Sequence, residues 1–205
     1  MTMDAFTTVT AVAVPFDFVN VDTDRIIPAR FLHKPRGPEY AGLLFHDVRF
    51  DEDGHERADF ILNQPAFRSA RILVANDNFG CGSSREHAVW SLAAYGIRVV
   101  IAPSFGDIFA TNCLKIGLVT IVLPPGELRL LIDSVAGGGH AEVDLERQLI
   151  VDPARREIPF AFDPFQRECL LNGLDDIARS LAHEDALADY EASHPPRVDT
   201  TALSI

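Results

Sequence analysis

The chain has 205 residues and a net charge of −12 at pH 7, from 18 lysines and arginines against 30 aspartates and glutamates. Such an acidic chain is a poor candidate for nucleic-acid binding, because neutralising phosphates requires clustered Lys and Arg. The charge does not argue against a small anionic ligand, since a few arginines in one pocket can reverse the local field. With 47% hydrophobic residues, the chain can bury the core of one globular domain.

The first residues, the apolar runs and the cysteines indicate where the protein is located and which kinds of site it can form. The first twenty residues contain no Lys or Arg, and no apolar run is long enough to cross a bilayer, so we expect a cytoplasmic protein. Cys81, Cys113 and Cys169 are widely spaced and include no C-x-x-C pair. They predict neither a disulfide framework nor a metal or iron–sulfur site in this chain, so another chain would have to hold any cluster.

The N-terminal quarter combines one strand with irregular segments. Residues 7–14 alternate loosely in hydrophobicity, which predicts a strand ended by Pro15. Three prolines and a glycine within residues 28–38 exclude regular structure there, although Phe31 and Leu32 are apolar. That segment is either a surface loop attached by two hydrophobic side chains or a mobile flap that lines a pocket. Residues 47–59 are charged and contain a turn signal, which predicts a surface hairpin.

The most informative stretch runs from Arg71 to Gly96. A short apolar run at residues 72–75 predicts a buried strand, and a loop with two glycines follows it. Ser83 and Ser84 are each good N-caps for the amphipathic helix that comes next and ends at Gly96. Strand, glycine loop and helix start together direct hydroxyls and backbone N–H groups to one point, which is typical of anion binding.

The remaining chain predicts more of an α/β core. Strands at 97–102 and 119–123 enclose a helix at 106–116, which implies parallel pairing. A helix through Val135 and strands at 141–145, 149–151 and 158–162 predict a small antiparallel piece. Asp163-Pro164 begins a helical region that continues to about Ala192. We therefore predict one domain over residues 1–192 and a disordered tail over 193–205.

The chemistry predicted for the glycine loop depends on Ser83. Backbone donors and a helix dipole can stabilise a serine alkoxide as a base, and Arg85 offers a planar fork for a carboxylate. Ordinary helix capping explains the two serines equally simply. Cys81 beside the helix start could be an activated thiol, and His87 a general base, but neither has a partner in the pattern. Glu86 suits the first helical turn by its charge.

Three classes of function follow from these residues alone. The first is an enzyme, or part of one, that acts on a small polycarboxylate with a serine base and arginine clamps. The second is a regulatory module whose glycine loop holds a phosphate or a nucleotide, although the lysine of a P-loop is missing. The third is a serine or cysteine hydrolase, which the absence of a G-x-S-x-G elbow disfavours.

A family resemblance extends this interpretation. The segments NDNFGCGSSREHA, NVDTDRIIPARFL and VVIAPSFGDIFATN, together with FHDVRF and FQRECLLNGLDDI, resemble the small subunit of 3-isopropylmalate dehydratase in the aconitase superfamily. The similarity extends from about Phe16 to Tyr190. It implies a swivelling β/β/α three-layer domain of the aconitase type, with a parallel βαβαβ core and a helical C-terminus. It also implies a hydro-lyase of leucine biosynthesis that isomerises 2-isopropylmalate through isopropylmaleate.

The resemblance also implies roles and partners. Ser83 would be the catalytic base, supported by Asp24, while Ser84 and Arg85 would bind substrate. Arg36, at the family's offset from Asp24, would be a further substrate arginine. No metal would bind here, because a 4Fe–4S cluster would be held by a large subunit in a heterodimer or heterotetramer. The loop of Phe31, Leu32, His33 and Lys34 would select isopropylmalate over relatives such as citramalate, citraconate or homocitrate.

Overall fold

The computed structural model describes residues 3–181 and 183–194 of the chain. Its centre is a seven-stranded sheet in the order β4-β3-β2-β1-β5-β6-β7. Strands β1 to β4 are parallel, and β5 to β7 are antiparallel to their neighbours. The strands are β1 (Thr8–Phe16), β2 (Ile72–Ala75), β3 (Val99–Ala102), β4 (Val119–Val122), β5 (His140–Asp144), β6 (Leu149–Val151) and β7 (Glu157–Pro159).

Helices cover both faces of this sheet. They are α1 (Thr23–Ile26), α2 (His46–Arg49), α3 (Glu86–Tyr95), α4 (Asp107–Lys115), α5 (Pro125–Val135), α6 (Pro164–Asn172), α7 (Asp176–Leu181) and α8 (Glu184–Ser193). One apolar core joins the sheet to α1, α3 and α4, and the other joins it to α5 and α6. Within the described ranges, no helix is long and apolar enough to span a membrane.

The predicted α/β class and its parallel strand–helix–strand–helix–strand core are confirmed. The predicted antiparallel piece is also present, and it is not separate: β5 pairs with β1, so the two β portions are halves of one sheet. Asp163 caps α6 as expected, because its carboxylate accepts from the backbone N–H of Gln166 at 2.9 Å. Ser193, which was assigned to the tail, is the last residue of α8, and residues 195–205 lie outside the described ranges.

The predicted end of the first strand at Pro15 is wrong. Strand β1 continues to Phe16, and Pro15 pairs with Val74 of β2. The backbone N–H of Ala13 points toward the β5 side, where it donates to Gly139 O at 3.1 Å. Alternation along a strand places the nitrogen of Pro15 on that same side, beyond the last residue of β1 that pairs with β5, Val12. The missing N–H therefore breaks no ladder bond there.

The irregular segments hold short turns rather than no structure. Residues 28–38, predicted to lack regular structure, contain a 3₁₀ turn at Ala29–Phe31, and a second 3₁₀ turn, Pro38–Gly42, begins at their last residue. The predicted surface hairpin is present in small form, because Phe50 and Glu56 make an antiparallel bridge. Its first residues belong instead to α2. These turns place the segment between β1 and β2 against α3, next to the site described below.

Candidate active site

The candidate site lies where β1, β2 and β3 end. Three loops meet there, and hydrogen bonds join the glycine loop of residues 76–85 to both others. Gly80 N–H donates to Val21 O at 2.7 Å, and Thr23 N–H donates to Cys81 O at 2.9 Å. On the other side, Gly106 N–H donates to Phe79 O at 3.0 Å. The carboxyl ends of parallel strands are where α/β proteins place their ligands, so this edge fits a binding site.

Two glycines allow the loops to approach this closely. Gly80 has a φ of 74°, and a Cβ on it would lie 2.2 Å from Cγ of Phe109. A Cβ on Gly106 would lie 2.5 Å from the carbonyl oxygen of Gly80. Phe109 is 3% exposed and fills the space between the two loops. Glycine is therefore required at residue 80 both for its backbone angle and for its lack of a side chain.

The predicted capping of α3 by Ser83 or Ser84 is wrong. The helix begins at Glu86, and its N-cap residue is Arg85, whose side chain makes no capping bond. The reason is local, because the carbonyl oxygen of Ser83 accepts from the Thr23 hydroxyl at 3.0 Å, which holds the loop extended past both serines. The predicted end is confirmed, since Gly96 has a φ of 109° and closes the last turn.

Ser83 is exposed and stands among free donors. In the described part of the chain, no backbone N–H from Gly82 to Glu86 donates to another group. Ser83 lines a cavity of about 190 Å³ with both loop glycines and the start of α4, namely Gly80, Gly82, Gly106, Asp107, Ile108 and Phe109. Unpaired amides beside a hydroxyl can stabilise negative charge on its oxygen.

Arg85 and Asp24 form an ion pair across this site. Arg85 Nη1 lies against Asp24 Oδ1, and the Arg85 side chain is 17% exposed while that of Asp24 is 53% exposed. The same nitrogen has no well-aligned hydrogen bond in the described structure, so charge attraction alone holds it. The structure thus pairs Asp24 with the arginine rather than with the hydroxyl of Ser83. A substrate carboxylate would meet a guanidinium that Asp24 already orients.

The Phe31–Lys34 segment is held in place by contacts with His46 and Tyr40. The Phe31 ring packs 4.8 Å from the ring of His46, and the Lys34 ammonium lies 5.3 Å from the Phe31 centroid. The hydroxyl of Tyr40 donates to Lys34 O at 2.7 Å. Leu32 is half-buried and His33 is exposed. The segment is therefore an ordered turn with part of its surface open.

Arg36 is placed away from Ser83. Its guanidinium lies 5.4 Å from the Trp90 ring, in the middle of α3. It lines a different depression, with Gly37, Pro38, Trp90, Ala93 and Ala94. The structure therefore brings together Asp24, Ser83, Ser84 and Arg85, and it leaves Arg36 outside that group.

Comparison with known proteins shows the family of this chain. The aconitase C-terminal domain model matches residues 3–126, which include all three loops. The 3-isopropylmalate dehydratase small subunit of Paramagnetospirillum magneticum is 51% identical over 193 residues, which cover 93% of this chain and 96% of that protein. The 3-isopropylmalate dehydratase small subunit of Gluconobacter oxydans is 48% identical over 205 residues, which cover 99% of this chain and 98% of that protein. The chain belongs to the family of 3-isopropylmalate dehydratase small subunits.

A solved structure of the same family supports the fold. The 3-isopropylmalate dehydratase from Methanocaldococcus jannaschii superposes with a TM-score of 0.67 at 28% identity, covering 89% of this chain and 99% of that one. The predicted aconitase-type fold class and family membership are therefore confirmed. Members of this dehydratase family are hydro-lyases, and a small subunit implies a large one.

The cysteines of this family member are placed on separate elements. Cys81 lies in the glycine loop, Cys113 is buried in α4 and Cys169 lies in α6. Burial, and then the carboxylate of Asp22, raise the pKa of the Cys81 thiol. That direction is opposite to the one that activates a cysteine nucleophile. Among the described residues, side chains that could share a metal occur together only at the exposed Asp51, Asp53 and His55, whose donors do not suit an iron–sulfur cluster.

Sequence reasoning missed two residues that build the site. Thr23 is 2% exposed, and it clamps the loop through both its N–H and its hydroxyl. Phe109 fills the gap that the two glycines leave. A polar residue directly before Asp24 was the available signal for Thr23. No local pattern identifies Phe109, because its partner lies 29 residues earlier in the chain.

Proposed function

We propose that this chain, with a cluster-bearing large subunit, isomerises 2-isopropylmalate to 3-isopropylmalate through isopropylmaleate, as a step of leucine biosynthesis in the cytoplasm. The carrying observation is the junction of Ser83, Arg85 and Asp24 at one sheet edge in a chain that matches its relatives over nearly their whole length. A 4Fe–4S cluster in the large subunit would supply Lewis-acid chemistry at the substrate hydroxyl and carboxylate.

Ser83 is the base in this proposal. Dehydration requires removal of a proton from the carbon next to the one that loses hydroxide, and the Ser83 oxygen would take that proton. Rehydration at the other carbon returns a proton by the same route. The free amides from Gly82 to Glu86 and the N-terminus of α3 would lower the free energy of the alkoxide. Ser83 also lines a cavity into which a substrate carbon can enter.

Arg85 would bind a substrate carboxylate, and Asp24 would hold Arg85 in position. The guanidinium is mostly buried, so its charge is less screened than that of a surface arginine. Its planar fork suits bidentate binding of a carboxylate. Asp24, being more exposed, can retain one guanidinium nitrogen while the substrate takes the remaining donors.

The Phe31–Lys34 segment would contact the substrate's side group. Leu32 is half-buried beside an anchored turn, and an apolar side chain there suits an isopropyl group. The family resemblance also makes Arg36 a substrate-binding residue. Because Arg36 lies over Trp90, it would reach the substrate only when the domain closes on the large subunit. If the side-group pocket accepts a different group, the substrate would instead be citramalate, citraconate or homocitrate.

Reconstitution tests this proposal. The chain is co-expressed with the cluster-bearing large subunit, and the purified complex is assayed with 2-isopropylmalate, citramalate and homocitrate. We expect the highest kcat/KM for 2-isopropylmalate, and a colourless, inactive chain when it is purified alone. A higher kcat/KM for citramalate or homocitrate would make that compound the substrate instead of 2-isopropylmalate. Dehydratase turnover by the isolated chain would overturn the requirement for a partner, and nucleotide or phosphate binding without any turnover would favour a regulatory module.

A further inference from the structure

Exposed apolar side chains flank Ser83 on the sheet edge that carries the candidate site. Phe18 and Val19, which follow the end of β1, are 40% and 55% exposed. Ile108 is 51% exposed in the first turn of α4, which follows β3. Ser83 follows β2, and β2 lies between β1 and β3 in the sheet. Because these parallel strands end at one edge, apolar surface is open on both sides of Ser83.

Phe18 is held in place although its ring is exposed. Its ring centroid lies 4.9 Å from that of Phe16, which is fully buried. The guanidinium carbon of Arg25 lies over the Phe18 ring, 4.5 Å from its centroid. An aromatic side chain that its neighbours already fix loses little conformational entropy when a partner covers it. Phe18 therefore suits the role of a binding anchor.

Arg25 presents a guanidinium that no acidic side chain of the described structure neutralises. Its side chain makes no hydrogen bond or ion pair within residues 3–181 and 183–194. Only its Nε is buried without a partner, so both terminal nitrogens reach the surface. The nearby carboxylates have other contacts, since Asp22 accepts from the backbone N–H of Arg25 at 2.7 Å and Asp24 pairs with Arg85. The terminal nitrogens are thus available to a carboxylate of another molecule.

The large subunit is the partner that fits this edge. In the proposed function its cluster and Ser83 act on the same substrate molecule, so the two subunits approach each other across the edge where Ser83 is exposed. Arg25 directly follows Asp24, which pairs with Arg85, so the Phe18–Arg25 pair is continuous with the site. Most other exposed large apolar side chains of the described residues lie on α5 to α8, which contribute none of the three loops of the site.

We propose that Phe18, Val19 and Arg25 form the contact by which this chain binds the large subunit. The partner would supply an apolar pocket for Phe18 and Val19 and a carboxylate for Arg25. Phenylalanine and arginine are enriched in protein interfaces, where a few aromatic and arginine side chains supply most of the binding energy. This inference rests on the proposed function, because it uses the same large subunit. It assigns subunit binding to residues that take no part in the chemistry.

Titration of the large subunit with this chain measures the dissociation constant of the complex. Phe18→Ser should raise Kd by about 30-fold or more, the usual effect of losing a central anchor. Val19→Asp should also raise Kd, and it tests the same surface without removing the contact with Phe16. Leu187→Ser is the matched control, because Leu187 is 43% exposed on α8, and its Kd should stay near that of the wild type.

Two variants of Arg25 test the predicted carboxylate of the partner. Arg25→Met keeps an unbranched apolar side chain beside Phe18 and removes the charge, so it should raise Kd about tenfold. Arg25→Glu should raise Kd further, because it repels a carboxylate. Added salt should weaken binding of the wild type more than binding of Arg25→Met, since salt screens the charge pair. Equal Kd values for Arg25→Met and Arg25→Glu would overturn the role of Arg25.

Turnover and self-association separate this interface from its alternatives. With excess large subunit, kcat of Phe18→Ser should return to near the wild-type value, because the lost contact only holds the subunits together. A low kcat with unchanged Kd would mean that Phe18 positions the site, and a loss of affinity in Leu187→Ser alone would move the interface to α8. In sedimentation equilibrium of the isolated chain, a wild-type dimer that Phe18→Ser makes monomeric would assign the surface to a second copy. Each of these three results would overturn the proposed interface.

The two proposals fail in different ways. A wild-type complex that forms but does not turn over 2-isopropylmalate overturns the proposed function, and the titrations still decide whether this surface binds the large subunit. An active complex in which Phe18→Ser and Val19→Asp bind as tightly as Leu187→Ser overturns the interface alone.

Discussion

Replacing Gly80 by alanine should distort the site through two separate terms. The residue has a φ of 74°, a left-handed conformation that costs a residue with a Cβ about 1–2 kcal/mol. The new Cβ would also lie 2.2 Å from Cγ of Phe109, and such overpacking costs about 1–3 kcal/mol. Gly80→Ala should therefore destabilise the chain by about 2–5 kcal/mol, a large share of the stability of a typical domain.

Urea unfolding of the isolated chain measures this change, with two variants that separate the terms. Gly54 has a φ of 82°, but a Cβ there has no heavy atom within 4 Å, so Gly54→Ala reports the backbone term alone. Phe109→Ala removes the ring and costs about 3–5 kcal/mol by itself. In that background Gly80→Ala should cost only the backbone term, so the two substitutions should be less than additive.

If Gly80→Ala is no more destabilising than Gly54→Ala, the contact with Phe109 does not constrain the loop. Full additivity of Gly80→Ala and Phe109→Ala would lead to the same conclusion. In the reconstituted complex, Gly80→Ala should also lower kcat, because Ser83 follows this turn by three residues and depends on it for position.

Further predictions concern Ser83, the selectivity of the Phe31–Lys34 segment for substrate, and the Arg30–Asp47 ion pair. Ser83→Ala should lower kcat by about 10²–10⁴-fold with little change in KM, and a near wild-type rate in the complex would remove Ser83 from its role. Leu32→Arg should shift the kcat/KM ratio from 2-isopropylmalate toward homocitrate-type substrates, with discrimination lowered by about 10- to 200-fold; an unchanged ratio would make the loop a surface cover only. The side-chain hydrogen bond from Arg30 lowers the pKa of Asp47 in the folded state. The pair therefore contributes its whole stabilisation above the pKa of Asp47 in the unfolded chain, and this stabilisation is lost as the pH falls through the pKa of Asp47 in the folded chain. Asp47→Asn should therefore be slightly less stable than the wild type at neutral pH, by under about 1 kcal/mol for so exposed a pair, and equally stable in strong acid; a difference that persists in acid would contradict this origin.

Local pattern was sufficient for most elements of the fold. Short apolar runs identified β2, β3 and β4, and Gly96 marked the end of α3. Pattern failed where a neighbouring strand decides the outcome. Pro15 looks like a strand terminator in the sequence, but it is tolerated because the pairing of β1 with β5 stops at Val12.

For the site, the sequence by itself predicted which residues carry chemistry, and it determined the family of the chain. The strand, glycine loop and helix around Ser83 are contiguous, so their order is legible in one stretch of chain. The tertiary structure decided how distant residues meet. It paired Arg85 with Asp24 and placed the Thr23 hydroxyl on the carbonyl oxygen of Ser83. The physical reason is that parallel strands bring loops separated by tens of residues to one edge, and side-chain contacts across that edge leave no periodic signal in the chain.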